Sequence, residues 1–472
     1  MKNSTAANYK EMTNTAKIKT RLSVMNFMEF AVWGAYLISM GMFLGNHGLG
    51  ADVFWFYTVQ GLVSIIMPAL MGIVADRWIP AQRTLALCQL LAGVMMIVTG
   101  AIANSQLAAS GTLEFGPLFA AYTVSVAFFM PTIGLSNSVA FNVLNQNKLD
   151  TVTHFPMIRV FGTVGFIFAE LFVNFVPWGG QAIQFSAAQF YTSGIFSIIL
   201  AAYCLTLPNC PIDKSGEKKS LSDALGLKAF RLFKYRDMAI FFIFSMLLGV
   251  SLQITNSYGS SFINFFSNPE LPQFADGFMD GWWAKNPTFL ISISQCAEAL
   301  CILMIPFCLR KFGIKGVMLI AMFAWVLRFG FFGIGDTNCP GFIWLLLSCI
   351  VYGVAFDFFN VSGGLYVDSR TSHDQRSAAQ GLFMLMTNGI GASLGTFLAG
   401  KLVVNKLVNA TGLTLQQQLD GWHESWLIFA AYALIVGVLF WIVFKERKPE
   451  ERHEAEDEKK ESNPDAGGMV EI

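Results

Sequence analysis

The sequence predicts an all-α membrane protein of about twelve transmembrane helices in two six-helix halves, each span near the roughly 20 residues a bilayer crossing needs. Three observations carry this. The 472 residues are 54% hydrophobic and only 13% charged, with 45 Phe, a composition unlike that of soluble domains. The apolar residues gather into stretches long enough to span. The connections between them alternate in Lys and Arg content, as the positive-inside rule requires. The net charge of zero gives no ground for a nucleic-acid partner, whereas the composition itself implies the lipid bilayer as one.

In order, the spans are expected near 22–44, 53–74, 84–103, 117–137, 160–176, 191–207, 238–262, 289–309, 317–334, 342–366, 377–398 and 426–444. The segment before residue 22 is polar and basic and lacks a signal-peptide cleavage pattern, so the first span is read as retained. Arg77 and Arg83, Lys148 and Arg159, the Arg310/Lys311/Lys315 group, Arg370 and Arg376, and Lys445 to Lys448 mark cytoplasmic connections. The loops around His47, Asn104, Gly180 and Asp336 carry no Lys or Arg and belong outside; Lys285 and the Lys401/Lys406 pair are exceptions. Both termini are therefore expected in the cytoplasm. The longest connection, 208–237, holds Lys214, Lys218, Lys219, Lys228, Arg231, Lys234 and Arg236 and separates an N-terminal half, 1–207, from a C-terminal half, 238–448. The charged end, 449–472, reads as a disordered cytoplasmic tail.

Asp357 interrupts an apolar run that has no other charge from Phe342 to Phe356. A carboxylate within a span costs a few kcal/mol or more, so it implies a partner, a wet cavity or a function. Tyr352 and Phe356 lie one helical turn apart beside it. Gln253 and Asn256, Gln295 and Glu298, and Arg159, Thr163 and Phe166 each share one helical face within or at the start of a span. Amides and carboxylates suit hydroxyl and ring N–H or C=O groups, and the aromatic residues offer stacking faces. The bland alternative is that the amides tie helices together and that Asp357 and Glu298 pair with Arg159. Glu29 and Glu170 are weaker candidates for the cavity lining. Gly391-Ala-Ser-Leu-Gly395 matches a serine-hydrolase pattern but lies in an apolar helix, where it reads as small-residue packing. The eight Cys and five His show no metal-ligand or CxxC spacing, and no phosphate-binding loop is present. No metal, no enzymatic activity and no ATP-driven transport are expected.

Gly72-Ile-Val-Ala-Asp76-Arg77 resembles the turn between the second and third spans of the major facilitator superfamily, although Ile79 and Gln82 depart from its continuation. A more specific likeness is carried by Met238-Ala-Ile-Phe-Phe-Ile-Phe-Ser-Met-Leu-Leu-Gly249, Leu252-Gln-Ile-Thr-Asn256, Ile350-Val-Tyr-Gly353, Ala355-Phe-Asp-Phe-Phe-Asn360, Ala379-Gln-Gly381 and Met386-Thr-Asn-Gly389. Met130-Pro-Thr132, Ile158-Arg159 and Gly162-Thr163 add to it. These segments resemble those of the bacterial nucleoside:proton symporters, major facilitator proteins of the inner membrane. The resemblance implies import of purine or pyrimidine nucleosides driven by the proton gradient, without a cofactor and with no obligate protein partner. The family's nucleoside contacts match here at Arg159, Thr163, Phe166, Gln253, Asn256, Gln295, Glu298, Tyr352 and Phe356. Asp357 stands beside them, and Asp357 and Glu298 are the proton-coupling candidates, since a carboxyl moved out of water favours its neutral form. Glu29 replaces what is usually an amide, and several loops look longer. The alternatives are a symporter for another polar ring, such as a nucleobase or sugar, and a transport-like receptor that binds nucleosides without moving them.

Overall fold

A backbone in lipid must satisfy its polar groups within its own segment, which favours helices throughout. A computed structural model describes residues 2–210, 212, 227–271, 281–371 and 376–445. Half of the 208–237 connection and all of the 449–472 tail lie outside these residues. The long helices are α1 (Lys2–Gly34), α3 (Val53–Arg77), α4 (Ala81–Ser110), α5 (Phe115–Gln146), α6 (Thr151–Phe175), α7 (Ala188–Cys204), α8 (Arg236–Phe265), α9 (Pro287–Ile334), α10 (Gly341–Arg370) and α13 (Leu415–Val443), with shorter α2 (Met40–Leu44), α11 (Arg376–Met384) and α12 (Ala392–Leu398). Among the described residues, nine helices are long and apolar enough to cross a membrane, and α7 is a shorter apolar helix. The β structure described is one hairpin, Pro177–Trp178 with Gln181–Ala182. Gly179 and Gly180, at φ +62° and +90°, supply the left-handed backbone that a two-residue hairpin turn needs.

Two groups of helices form. In the first, α1 packs on α6 and α7, and α4 on α5 and α7; in the second, α9 packs on α10 and α13. The groups meet where α3 lies against α12, α6 against α9 and α2 against α8. Leu303 is 76% exposed and Ile442 61%; apolar side chains pointing outward on this scale are those of a protein whose solvent is lipid.

Several element boundaries differ from those expected, for identifiable reasons. The expected 22–44 span breaks between α1 and α2, although residues 35–39 contain neither Gly nor Pro. Side chains of other helices hold the freed backbone: Tyr57 donates to the Leu37 carbonyl (2.6 Å) and accepts from the Gly41 N–H (3.1 Å), and Ser260 donates to the Ile38 carbonyl. The run Pro287–Ile334 has 48 residues, or about 72 Å at 1.5 Å per residue, more than twice a bilayer core. It is broken at Gly313, φ +68°, between Arg310, Lys311 and Lys315, where the sequence placed a basic turn. The helix expected to end at 398 runs on to Leu407 through two π-helical stretches, Leu385–Gly391 and Ala399–Val404. The Gly391–Gly395 pattern lies in this run. Ser393 donates to the Gly389 carbonyl (2.7 Å) and reaches the Thr58 carbonyl of the other group (3.3 Å), which is a packing role.

Candidate functional site

The first group contributes α6. This helix starts at Thr151, earlier than expected, so Arg159 sits well inside it. A Cβ at Gly162 would come within 2.6 Å of the Arg159 Nη1 and 2.7 Å of the Phe30 ring; the glycine therefore makes the room in which the guanidinium lies 3.9 Å over the centre of Phe30, a cation–π contact. Thr163 and Phe166 follow on the same face, all three half-buried. Phe166 meets Trp33 edge to face, ring centres 6.3 Å apart.

The second group contributes the rest. On α8, the Asn256 amide donates to the Gln253 side-chain oxygen (3.3 Å), so the two amides orient one another. On α10, Tyr352 and Phe356 stack at 5.9 Å with ring planes 10° apart, and Trp325 abuts Tyr352 edge-on. A Cβ at Gly353 would lie 2.6 Å from both the Ala297 carbonyl oxygen and the Glu298 nitrogen. Only glycine at this point lets α10 press on α9, and the contact sets Tyr352 beside Glu298. Asp357 is 6% exposed and its Oδ2 has no hydrogen-bond partner; the Gln295 side-chain oxygen has none either.

Across the interface, the Arg159 charge interacts with those of Glu298 and Asp357, and Tyr352 lies in the field of both carboxyls. A contact ion pair between Arg159 and either carboxyl is not formed among the described residues. The charges stand on opposite groups of helices. The Gln253–Asn256 pair is not joined by hydrogen bonds to Gln295, Glu298 or Asp357. The cavity beside Phe356, lined by Leu248, Trp325, Asn360 and Thr387, measures about 20 Å³; this accommodates a water molecule and is too small for a larger ligand.

Sequence reasoning passed over Arg328, although it is the sole charge between Lys315 and Asp336. It is fully buried, lies 4.4 Å over Phe332 and 5.2 Å over Tyr352, and donates to Ser294 (3.3 Å), while its Nε and Nη2 have no partner. At the end of the bundle away from both termini, the groups are tied directly. Asn174 donates to Asn286 (2.8 Å), Thr288 to Gln184 (2.5 Å) and Asn46 to Asn264 (3.2 Å), and Asn409 donates to the Gly50 carbonyl (3.0 Å).

Aromatic faces, amides with free hydrogen-bonding capacity and facing charges, set between two groups of apolar helices, suit a polar small molecule and a proton. Such a fold and site define a multi-pass membrane transporter. The chain belongs to the nucleoside H+ symporter family, whose description as Nucleoside H+ symporter is matched by residues 16–449. It is 44% identical to the xanthosine permease of Escherichia coli (strain K12) over 430 residues, 91% of this chain and 96% of that protein. It is 38% identical to the nucleoside permease NupG of the same organism, with the same coverage. The crystal structure of nucleoside transporter NupG aligns at a TM-score of 0.78, covering 91% of this chain and 100% of that one. A bacterial homologue of the human drug peptide transporters shares the fold at 14% identity and a TM-score of 0.64. Members of this family are transporters and not enzymes, and the proton gradient takes the place of a cofactor.

Proposed function

We propose that this chain carries nucleosides inward with protons by alternating access between halves 1–207 and 238–448, joined by 208–237. The observation that carries this reading is the facing of Arg159, on one group of helices, with Glu298 and Asp357 on the other. Any motion that opens one side changes the separation and hydration of these charges, which is what coupling to a proton requires. Glu298, Gln295, Gln253 and Asn256 bond the ribose hydroxyls. Phe166, Tyr352 and Phe356 stack on or flank the base, and Arg159 and Thr163 donate to its ring atoms. Asp357 carries the proton, with Glu298 as the second candidate.

Twelve spans account for the helices if α1 with α2 makes the first, α7 the sixth, and Pro287–Ile334 counts twice across Gly313. The basic connections then lie on the side of both termini, in the cytoplasm of a bacterial cell with the protein in its inner membrane. The names of the relatives support nucleosides over free bases or sugars, and the xanthosine permease brings a purine nucleoside into consideration. Uptake of labelled uridine into proteoliposomes, with and without an imposed proton gradient and competed by xanthosine, uracil and ribose, tests the proposal. Concentrative, gradient-dependent uptake blocked by nucleosides alone is expected. Equal competition by uracil or ribose indicates a symporter for another ring, and binding without accumulation indicates a receptor.

A further inference from the structure

Glu170 is fully buried, and neither of its carboxyl oxygens has a hydrogen-bond partner. It continues the face of α6 that bears Arg159, Thr163 and Phe166, at successive spacings of three or four residues. One further turn along stands Asn174, the centre of the outer tie: it donates to Asn286 (2.8 Å) and accepts from the Gln184 amide (2.9 Å) and the Phe289 N–H (3.2 Å). Glu170 thus lies between the central site and the point where the two groups of helices are closed together. α6 packs on α9 here, and the titratable groups within electrostatic reach of Glu170 are Glu298 and Cys296 on α9 and Tyr352 on α10. From α1 it meets an apolar neighbourhood, since Ala31 and Ala35 cluster with Ala169 and Val173. No cation is among the groups within its electrostatic reach.

A buried carboxylate with neither hydrogen bond nor counter-charge is the costliest arrangement a side chain can adopt. Two carboxyls in each other's field at a buried site are not readily ionised together. Arg159 is shared by Glu298 and Asp357 and leaves no counter-charge for Glu170. We propose that Glu170 and Glu298 act as an electrostatically coupled pair across the interface that holds one proton, in addition to the one at Asp357, and that repulsion within this pair, once it is deprotonated, reopens the outer tie. The cycle balances in protons. With the outer side open, the pair takes a proton from outside water, which permits Asn174 and its partners to close. Release of that proton through Glu298 to the inner side leaves two facing carboxylates, and the empty carrier opens outward again.

This inference rests on the proton-symport reading. It is tested on the full-length protein in proteoliposomes, comparing wild type with Glu170→Gln, which mimics the protonated acid, and Glu170→Met, which suits the apolar surroundings. A gradient of one pH unit, acid outside, drives up to about tenfold accumulation per coupled proton. In the variants, accumulation is expected to fall to within about twofold of equilibrium, while counterflow exchange of labelled uridine at equal pH persists. Variants that accumulate like a responsive wild type overturn the pair alone. Failure of both variants to fold assigns Glu170 a structural role and also overturns it. A wild type indifferent to the gradient overturns the symport reading, and the pair with it.

Discussion

Glu29 and Glu170 are both fully buried carboxyls on the first group of helices, and their surroundings are opposite. Glu29 accepts from Thr132 (2.5 Å) and from the Gln89 amide (2.9 Å), and Gln89 in turn accepts from Ser197 (2.5 Å). The network binds α1, α4, α5 and α7 to one another. Around the central site the pattern reverses: Glu170, one oxygen of Asp357, the Gln295 oxygen and two nitrogens of Arg328 have no partner. Buried polar groups are almost always satisfied, so a buried carboxyl with neither oxygen paired calls for an explanation. The Glu29 network uses its hydrogen-bonding capacity internally, whereas these site groups retain theirs for something that arrives.

The largest effect expected from this contrast is in ligand discrimination. Removing the ribose leaves two or more site groups unpaired at about 1–3 kcal/mol each, so uracil should compete with uridine more weakly by on the order of a hundredfold. Equal inhibition constants in the uptake assay would remove the sugar contacts. Next is the aromatic wall: Phe356→Ala should weaken uridine binding by about 1–3 kcal/mol, the usual worth of base–aromatic stacking. Unchanged affinity by calorimetry in a folded variant makes Phe356 a packing residue.

On the scaffold side, Glu29→Leu removes one acceptor of the Gln89 amide, which keeps Thr132 (3.1 Å), and should lower unfolding stability by about 1–2 kcal/mol, in the range of intramembrane hydrogen bonds. Glu29→Gln should restore most of it, and transport per folded molecule should persist in both; a folded Glu29→Leu protein that cannot transport would place Glu29 in the site. The smallest effect is expected at Ser393→Ala, about 0.6 kcal/mol for one interhelical bond, read as a slight fall in thermal midpoint.

The apolar spans and basic turns were legible because lipid imposes length and composition directly, and the break at Gly313 fell at a basic turn. The break at 35–39 was not, because its cause is Tyr57 and Ser260, remote in sequence. Asp357, Glu298 and Arg159 stood out as charges in apolar runs. Arg328 had the same signal and was missed beside the denser cluster. Glu170 was visible as a residue, but its significance depends on Glu298 from another helix and on the partners of Asn174, namely Asn286, Gln184 and Phe289, which periodicity on α6 alone does not bring to it. Gly162 and Gly353 read as ordinary small residues until the partner helix is in place.

The central claim is that an unpartnered carboxyl in this site carries the coupled proton, and Asp357→Asn tests it most directly, with uridine binding, thermal stability and gradient-driven accumulation measured on one preparation. The asparagine mimics the protonated acid, so the account predicts a folded protein that still binds uridine and no longer concentrates it under a proton gradient. A folded Asp357→Asn protein that accumulates uridine at the wild-type rate with the wild-type pH dependence would contradict it.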